Sequence, residues 1–373
     1  MACASPMVRV FLSAAEASAD QHGAHLLREL QALTTVEACG VGGQRLREQG
    51  LKPLATAEEL SVMGLFEVLQ HLPRLWRLAR YVRREALEFR PDVAVLIDSP
   101  DFHLPLARHL SRAGIPVVLY VSPQLWAWRS GRVKLIRRVV RKVLCILPFE
   151  VDFYRQHGVS ASFVGHPLVD ELASIPPGVG QERKHALALL PGSRRHEVEA
   201  LLPVMLEAFH RLRADDPQLT GKVIVAPGLS TGDLQALAGP DGSGLEFVDN
   251  HRYQELAQCE AAFVASGTAT LVCALLGVPM VVTYRLHPLS FALASLLVKV
   301  PHVGLVNLVA GERVAPELVQ DALDATSLAA AGRALLGEEG EIQRRKLSLV
   351  REKLGGPGAS RRAAEEVLEV AGR

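Results

Sequence analysis

A carboxylate at the end of a buried apolar run is placed to act as a base. The segment LIDSPDF (96–102) has that form, with Asp98 at the lip of the run. Partial burial raises a carboxylate's pKa and makes it a better proton acceptor. A helix cap or a structural loop is the competing use of Asp98, and Asp101 reads more simply as the cap of the helix that follows. A second group of residues suits an anion. ASGTAT (265–270) follows a predicted strand and opens a predicted helix. Gly267 lets a ligand approach the backbone, Ser266 and Thr268 offer hydroxyls, and a helix N-terminus favours negative charge. An ordinary strand-to-helix turn with a Ser cap has the same spacing.

LPGSRRHE (190–197) repeats the arrangement, a strand end followed by a helix. Gly192 and Ser193 permit the turn, and Arg194 carries the planar fork that suits phosphate oxygens. Glu197 is placed to orient Arg194, while Arg195, His196 and Glu199 read as a solvated helix face. The Gly-Lys-Ser/Thr ending of a P-loop is absent. AEASAD (15–20) supplies Glu16, Ser18 and Asp20 after the first strand, either to bind an acceptor or to cap a helix. His166, in VGHPL (164–168), could orient a phosphate or brace a linker. No His, Asp or Glu cluster has metal-ligand spacing, so neither a metal nor another cofactor is expected.

A basic segment, HLPRLWRLARYVRR (71–84), contains no acid, and a second runs over 129–142. Leu72, Leu75 and Trp76 fall at helical spacing, with Val62, Met63, Leu65, Phe66 and Leu69 just before. That surface could lie on an anionic bilayer. An amphipathic helix packed on a sheet would look the same.

These residues need a scaffold. The chain has 373 residues, 49% of them hydrophobic, which is more than one core usually holds. Lys+Arg 41 against Asp+Glu 40 gives a net charge of +1, which argues against a nucleic-acid partner. Five scattered cysteines fit a reducing compartment. No apolar run is long enough to cross a membrane. Strands are expected at 8–12, 36–41, 93–98, 117–121 and 143–146, then at 186–190, 222–226, 245–248, 261–265 and 280–284. Helical patterns lie between them, notably 23–33, 131–142, 197–213 and 268–276. That alternation predicts parallel sheets with helices on both faces. The expected class is therefore α/β, with two doubly wound Rossmann-like domains facing a cleft and C-terminal helices. The expected domains are 1–175, facing acceptor and membrane, 176–345, binding the nucleotide, and a helical tail over 346–373. The chain from 316 onward is expected to be helical.

Several ordered segments together resemble the lipid-A-disaccharide synthase family, inverting glycosyltransferases of GT-B fold. They are LSVMGLFEVL (60–69), PDVAVLIDSPDF (91–102), YVSPQLWAWRSGRV (120–133), LPFEVDFY (147–154), FVGHPLVD (163–170), LALLPGSRRHEVE (187–199), ASGTAT (265–270), GVPMVVTYRL (277–286) and NLVAGERVAPELVQ (307–320). The resemblance implies transfer of a diacylglucosamine unit from UDP-2,3-diacylglucosamine to 2,3-diacylglucosamine 1-phosphate, with UDP released. It implies a β-1,6-linked disaccharide and a peripheral location at the cytoplasmic face of the inner membrane. It makes Asp98 the general base. Gly192, Ser193, Arg194, Ser266, Gly267, Thr268 and Asn307 become UDP contacts, and the 62–76 region becomes the acyl and membrane contact. The family's first loop resembles G-E-x-S-G-D, and Ala15 and Ala19 stand here for its glycines. Val272 stands where the family usually has Glu, and Val306 where it has Pro. Other readings are a UDP-sugar 2-epimerase on the same fold and a non-catalytic paralogue that binds a UDP-sugar or lipid. The tail fits either a monomer or a homodimer.

Overall fold

The computed structural model describes residues 7–60, 65–127, 130–175, 184–242, 244–287, 291 and 300–373; of 58, 60, 65–75 and 130 only the backbone is described. The chain divides into two compact units, one of residues 1–167 with 356–373, the other of residues 168–355. The division falls at 167/168 where 175/176 was expected. The chain's end joins the first unit rather than standing as a separate tail.

In the first unit, β1 (Val8–Ala14), α1 (Ala17–Leu33), β2 (Val36–Gly42), α2 (Gln44–Glu48), β3 (Lys52–Thr56), α3 (Ala57–Leu60) and α4 (Leu65–Phe89) come first. Then follow β4 (Val93–Ile97), α5 (Pro100–Arg112), β5 (Val117–Tyr120), α6 (Val133–Val139), β6 (Lys142–Cys145), α7 (Pro148–Gln156) and β7 (Ala161–Phe163). The strands form one sheet in the order β3-β2-β1-β4-β5-β6-β7, all parallel. Alternate residues of each strand feed opposite faces. Phe11, Ala94 and Leu96 pack with Val82 of α4, Leu106 and Leu110 of α5, and Tyr154 of α7. Val10, Leu12, Val95 and Ile97 pack with Leu26, Leu27 and Leu30 of α1 on the other face. Both faces being dry explains why these strands read as unbroken apolar runs.

The second unit repeats the plan after α8 (Pro167–Glu171), which crosses the division. Its elements are β8 (Lys184–Leu190), α9 (Arg195–Asp215), β9 (Thr220–Ile224), α10 (Thr231–Ala238), β10 (Leu245–Val248), α11 (Arg252–Ala257), β11 (Cys259–Ala265), α12 (Thr268–Leu276), β12 (Met280–Tyr284), α13 (Leu305–Ala310), β13 (Glu317–Val319), α14 (Ala325–Leu335) and α15 (Glu338–Lys353). The sheet order is β10-β9-β8-β11-β12-β13, again parallel. The last helix, α16 (Ala359–Val370), returns to the first unit and buries Ala363, Ala364 and Val367 against the α1 face of its sheet.

Two strands are corrections to the sequence reading. β3 is an edge strand containing Pro53, and β13 is three partly exposed residues inside the stretch expected to be helical. Edge strands bury too little to need a recognisable apolar run. Strand order reverses between β1 and β4 in one sheet and between β8 and β11 in the other. Open parallel sheets bind ligands outside the carboxyl ends of strands at such a switch point.

Candidate functional site

Asp98 and the 15–20 loop leave the carboxyl ends of β4 and β1, the two strands flanking the first unit's switch point; Ala14 pairs with Ile97 in register. The backbone there is strained. Asp98 and Ser99 both have positive φ, +52° and +43°, and Val121, just past β5, has +58°. Left-handed backbone costs a non-glycine residue about 1–2 kcal/mol. Such strain gathers at functional sites. Asp98 N–H donates to the Tyr120 carbonyl at 3.2 Å, which ties the two strained turns together. The Asp98 carboxyl is partly buried, and burial raises its pKa above the ordinary carboxylate value. Nearby Glu16 adds to the rise, while the Ser99 N–H opposes it.

The other residues of this unit separate into exposed ones and ones engaged within the fold. Glu16 sits at the N-cap position of α1 without capping it, and accepts from Ser99 Oγ at 3.1 Å. Ser18 is exposed in the first turn of α1. Asp20 is buried, and its carboxylate accepts from the N–H groups of Gly43 (2.7 Å), Arg45 (3.0 Å) and Leu46 (3.2 Å). It caps α2, the second of the two uses that the sequence left open. Asp101 stands inside the first turn of α5, where Ser99 is the N-cap residue, and pairs with Arg132. His166 is buried, and burial with nearby His22 lowers its pKa to about 3, so the ring is neutral. Neither Ala15 nor Ala19 has positive φ, and Ala19 lies within α1. The alanines therefore impose no backbone strain.

One group escaped the sequence reading. Glu150 in α7 is fully buried; burial pushes its pKa up to about 7, against the pull of hydrogen bonds from Trp126 Nε1 (3.0 Å) and Leu147 N–H (3.2 Å). Through Trp126 it anchors the loop that follows β5. The LPFE motif was visible, but no local signal shows which indole the carboxylate holds.

In the second unit, LPGSR and ASGT follow β8 and β11, the strands flanking that switch point; Leu190 pairs with Val264. Gly192 has φ +118°, and a Cβ there would lie 2.7 Å from Glu197 Oε2. Glu197 collects the loop. It accepts from the N–H groups of Ser193 (3.2 Å) and Arg194 (3.3 Å) and from Arg194 Nη1 (3.0 Å). The Arg194 side chain is still 71% exposed, so its fork is available to a ligand. Gly267 has φ +142°, with nothing within 4 Å of a would-be Cβ. Its requirement for glycine is conformational. Thr268 is exposed at the first position of α12, where backbone N–H groups have no intrahelical acceptor. Ser266 Oγ donates to the Val303 carbonyl at 2.8 Å, which leaves its oxygen as an acceptor only. Val272 is buried and faces the core.

Asn307 is completely buried. Its Nδ2 donates to the Ala315 carbonyl (2.9 Å) and Glu317 Oε1 (2.8 Å), and its Oδ1 accepts from Val314 N–H (2.8 Å) and Ala315 N–H (2.9 Å). With its capacity filled by these bonds, it braces the 311–317 turn.

Of the membrane-contact residues, Val62 and Met63 lie outside the described residues. Leu65, Phe66, Leu69, Leu72 and Leu75 lie on α4, whose backbone alone is described there. Trp76 is 60% exposed, with the Arg80 guanidinium 4.6 Å from its ring centre. These two line a surface cavity of about 590 Å³ with Arg77, Tyr81, Arg83, Arg84 and His109. Farther along the helix, Val82 and Ala86 are buried on the sheet. Among the described residues no helix is long and apolar enough to cross a membrane, and no group of His, Cys, Asp and Glu could hold a metal ion.

A family model described as lipid-A-disaccharide synthetase matches residues 10–370. The chain is 48% identical to a lipid-A-disaccharide synthase of Anaeromyxobacter dehalogenans (strain 2CP-C), over 97% of each chain. Among solved structures it is similar to a calicheamicin glycosyltransferase, with TM-score 0.63, 17% identity and coverage of 98% of this chain and 99% of that one. It is equally similar to a UDP-N-acetylglucosamine 2-epimerase described as putative, from Listeria monocytogenes, with TM-score 0.64, 14% identity and coverage of 95% and 94%. The structural likeness establishes the GT-B type of fold. It does not separate transferase from epimerase.

Proposed function

The chain belongs to the lipid-A-disaccharide synthase family of glycosyltransferases, and from that premise we propose that it joins UDP-2,3-diacylglucosamine to 2,3-diacylglucosamine 1-phosphate. The products are the β-1,6-linked disaccharide 1-phosphate and UDP. Asp98 accepts the proton of the acceptor's 6-hydroxyl as that oxygen bonds to C1 of the donor sugar. The bond from C1 to the UDP oxygen breaks, and UDP leaves with the electron pair. A single displacement of this kind inverts the configuration at C1. In the second unit, Arg194 and the first turn of α12 face the diphosphate and stabilise its developing charge. Gly192 and Gly267 let the backbone come close to it.

Asp98 is the observation that carries this reading. A partly buried carboxyl with a raised pKa, held on strained backbone beside the switch point, has the form of a general base. Trp76 and the arginines of α4 suit an anionic membrane surface, which both acylated substrates require. On this reading the enzyme works peripherally at the cytoplasmic face of the inner membrane, as a monomer or homodimer, without a cofactor. The unstrained backbone at Ala15 and Ala19 weakens the non-catalytic alternative, whose other support is Val272 in place of the family's Glu.

The test is incubation of the purified protein with both substrates in detergent, with UDP release measured and the lipid identified by mass spectrometry. Disaccharide 1-phosphate is the expected product. UDP release without disaccharide, or an epimerised sugar nucleotide, would overturn the proposal.

A further inference from the structure

Ser13 and His103 belong to none of the assignments above, and both are completely buried. Ser13 lies on β1 and His103 in the first turns of α5, yet Ser13 Oγ is 2.8 Å from His103 Nε2. The other ring nitrogen, Nδ1, is 2.6 Å from the backbone carbonyl oxygen of Asp98. A carbonyl oxygen can only accept, so Nδ1 carries the hydrogen. In a neutral ring Nε2 then accepts from the Ser13 hydroxyl. Burial keeps the ring neutral by lowering its pKa to about 4. The result is a chain of two hydrogen bonds from the centre of the sheet to the residue read as the base.

The carbonyl at the end of that chain belongs to strained backbone. Asp98 and Ser99 are consecutive non-glycine residues in the left-handed region. Such a conformation persists only where the surroundings hold it. At Asp98 two contacts hold it, the N–H bond to Tyr120 on one side and the His103 bond on the other; Ser99 is held by the Phe102 and His103 N–H groups on its carbonyl and by its Oγ bond to Glu16. Ser13 orients the ring by bonding its second nitrogen, which fixes both tautomer and direction.

We propose that His103, oriented by Ser13, is a positioning residue that clamps the Asp98 backbone in the conformation from which its carboxylate takes the acceptor's proton. The inference rests on the reading of Asp98 as base.

The test compares four variants in the disaccharide assay, with thermal melting of each. H103N keeps an N–H donor where Nδ1 stood, whereas H103L removes it. S13V frees the ring, and D98N removes the carboxylate. Positioning predicts a fall in kcat of about 10- to 100-fold for H103L, since small misplacements of a reacting group have effects of that size. KM should be little changed. H103N should restore most of the loss, and S13V should fall between. An H103N variant as slow as H103L at equal melting temperature would overturn the clamp, as would a loss confined to KM. If H103L does not fold, S13V decides: wild-type kcat in a folded S13V contradicts the inference. D98N with normal turnover would instead remove the base reading, and the clamp with it. D98N inactive beside fully active H103L would reject the clamp alone.

Discussion

Substitution of Asn307 separates a structural role from a ligand contact. Asn307→Ala deletes four hydrogen bonds in a completely buried place. It orphans the buried N–H of Ala315 and withdraws a donor from the Ala315 carbonyl, while Val314 N–H keeps its bond to the Glu312 carbonyl at 3.0 Å. Glu317 Oε1 loses less, because it also accepts from Gly304 N–H at 2.9 Å. An unsatisfied buried polar group costs about 1–3 kcal/mol, so one N–H in full and parts of a second N–H and one carbonyl together cost about 3 kcal/mol. For a unit of this size each kcal/mol is worth about 2–4 °C, so the melting temperature should fall by about 6–12 °C. Asn307→Asp should not rescue it. Asp keeps both acceptor bonds but sets an oxygen against the Ala315 carbonyl and the Glu317 carboxylate. Calorimetry reads the stability, and titration with UDP well below the transition reads the affinity, which should stay near wild type. An Asn307→Ala protein that melts normally but no longer binds UDP would refute the reasoning.

Three other perturbations test the remaining parts. Gly267→Ala should weaken UDP binding in titration calorimetry without crowding anything, because φ +142° is nearly closed to alanine and the strain is about 1–3 kcal/mol. Arg194→Lys should lose nearly as much UDP affinity as Arg194→Ala, since Lys lacks the fork; a bond to a charged group worth about 1.5–3 kcal/mol makes this roughly tenfold or more. Glu150 has its folded pKa raised to about 7 from 4.5, so the folded state holds this proton more tightly than the unfolded chain does. Its contribution is fully present below pH 4.5 and is lost as pH rises through about 7. The melting temperature of wild type minus that of Glu150→Gln should therefore decline between pH 5 and 8, and a flat difference would contradict the assignment.

The central strands were legible because both faces of each sheet are dry, so their residues form continuous apolar runs. β3 and β13 were not, since an edge strand with a proline and a three-residue strand carry no such run. The sites at the strand ends were legible for a related reason. A strand, a turn with glycine and a helix place polar groups at one edge of a parallel sheet. What each polar group does there was less visible. Asp20 and Glu16 stand four residues apart at the start of α1, yet one caps a helix more than twenty residues away in sequence while the other remains exposed. Asn307 and Arg194 were both read as UDP contacts, and only the fold shows that Asn307 is fully engaged. Ser13 and His103 are 90 residues apart, and no local pattern links them.

The most direct test of the account is turnover by Asp98→Asn beside its affinity for UDP. The substitution keeps size and backbone while removing the basic oxygen. The account predicts that disaccharide formation collapses while the protein folds and still binds UDP in its second unit. Near-normal turnover by Asp98→Asn would contradict it and move the base elsewhere on the sheet edge.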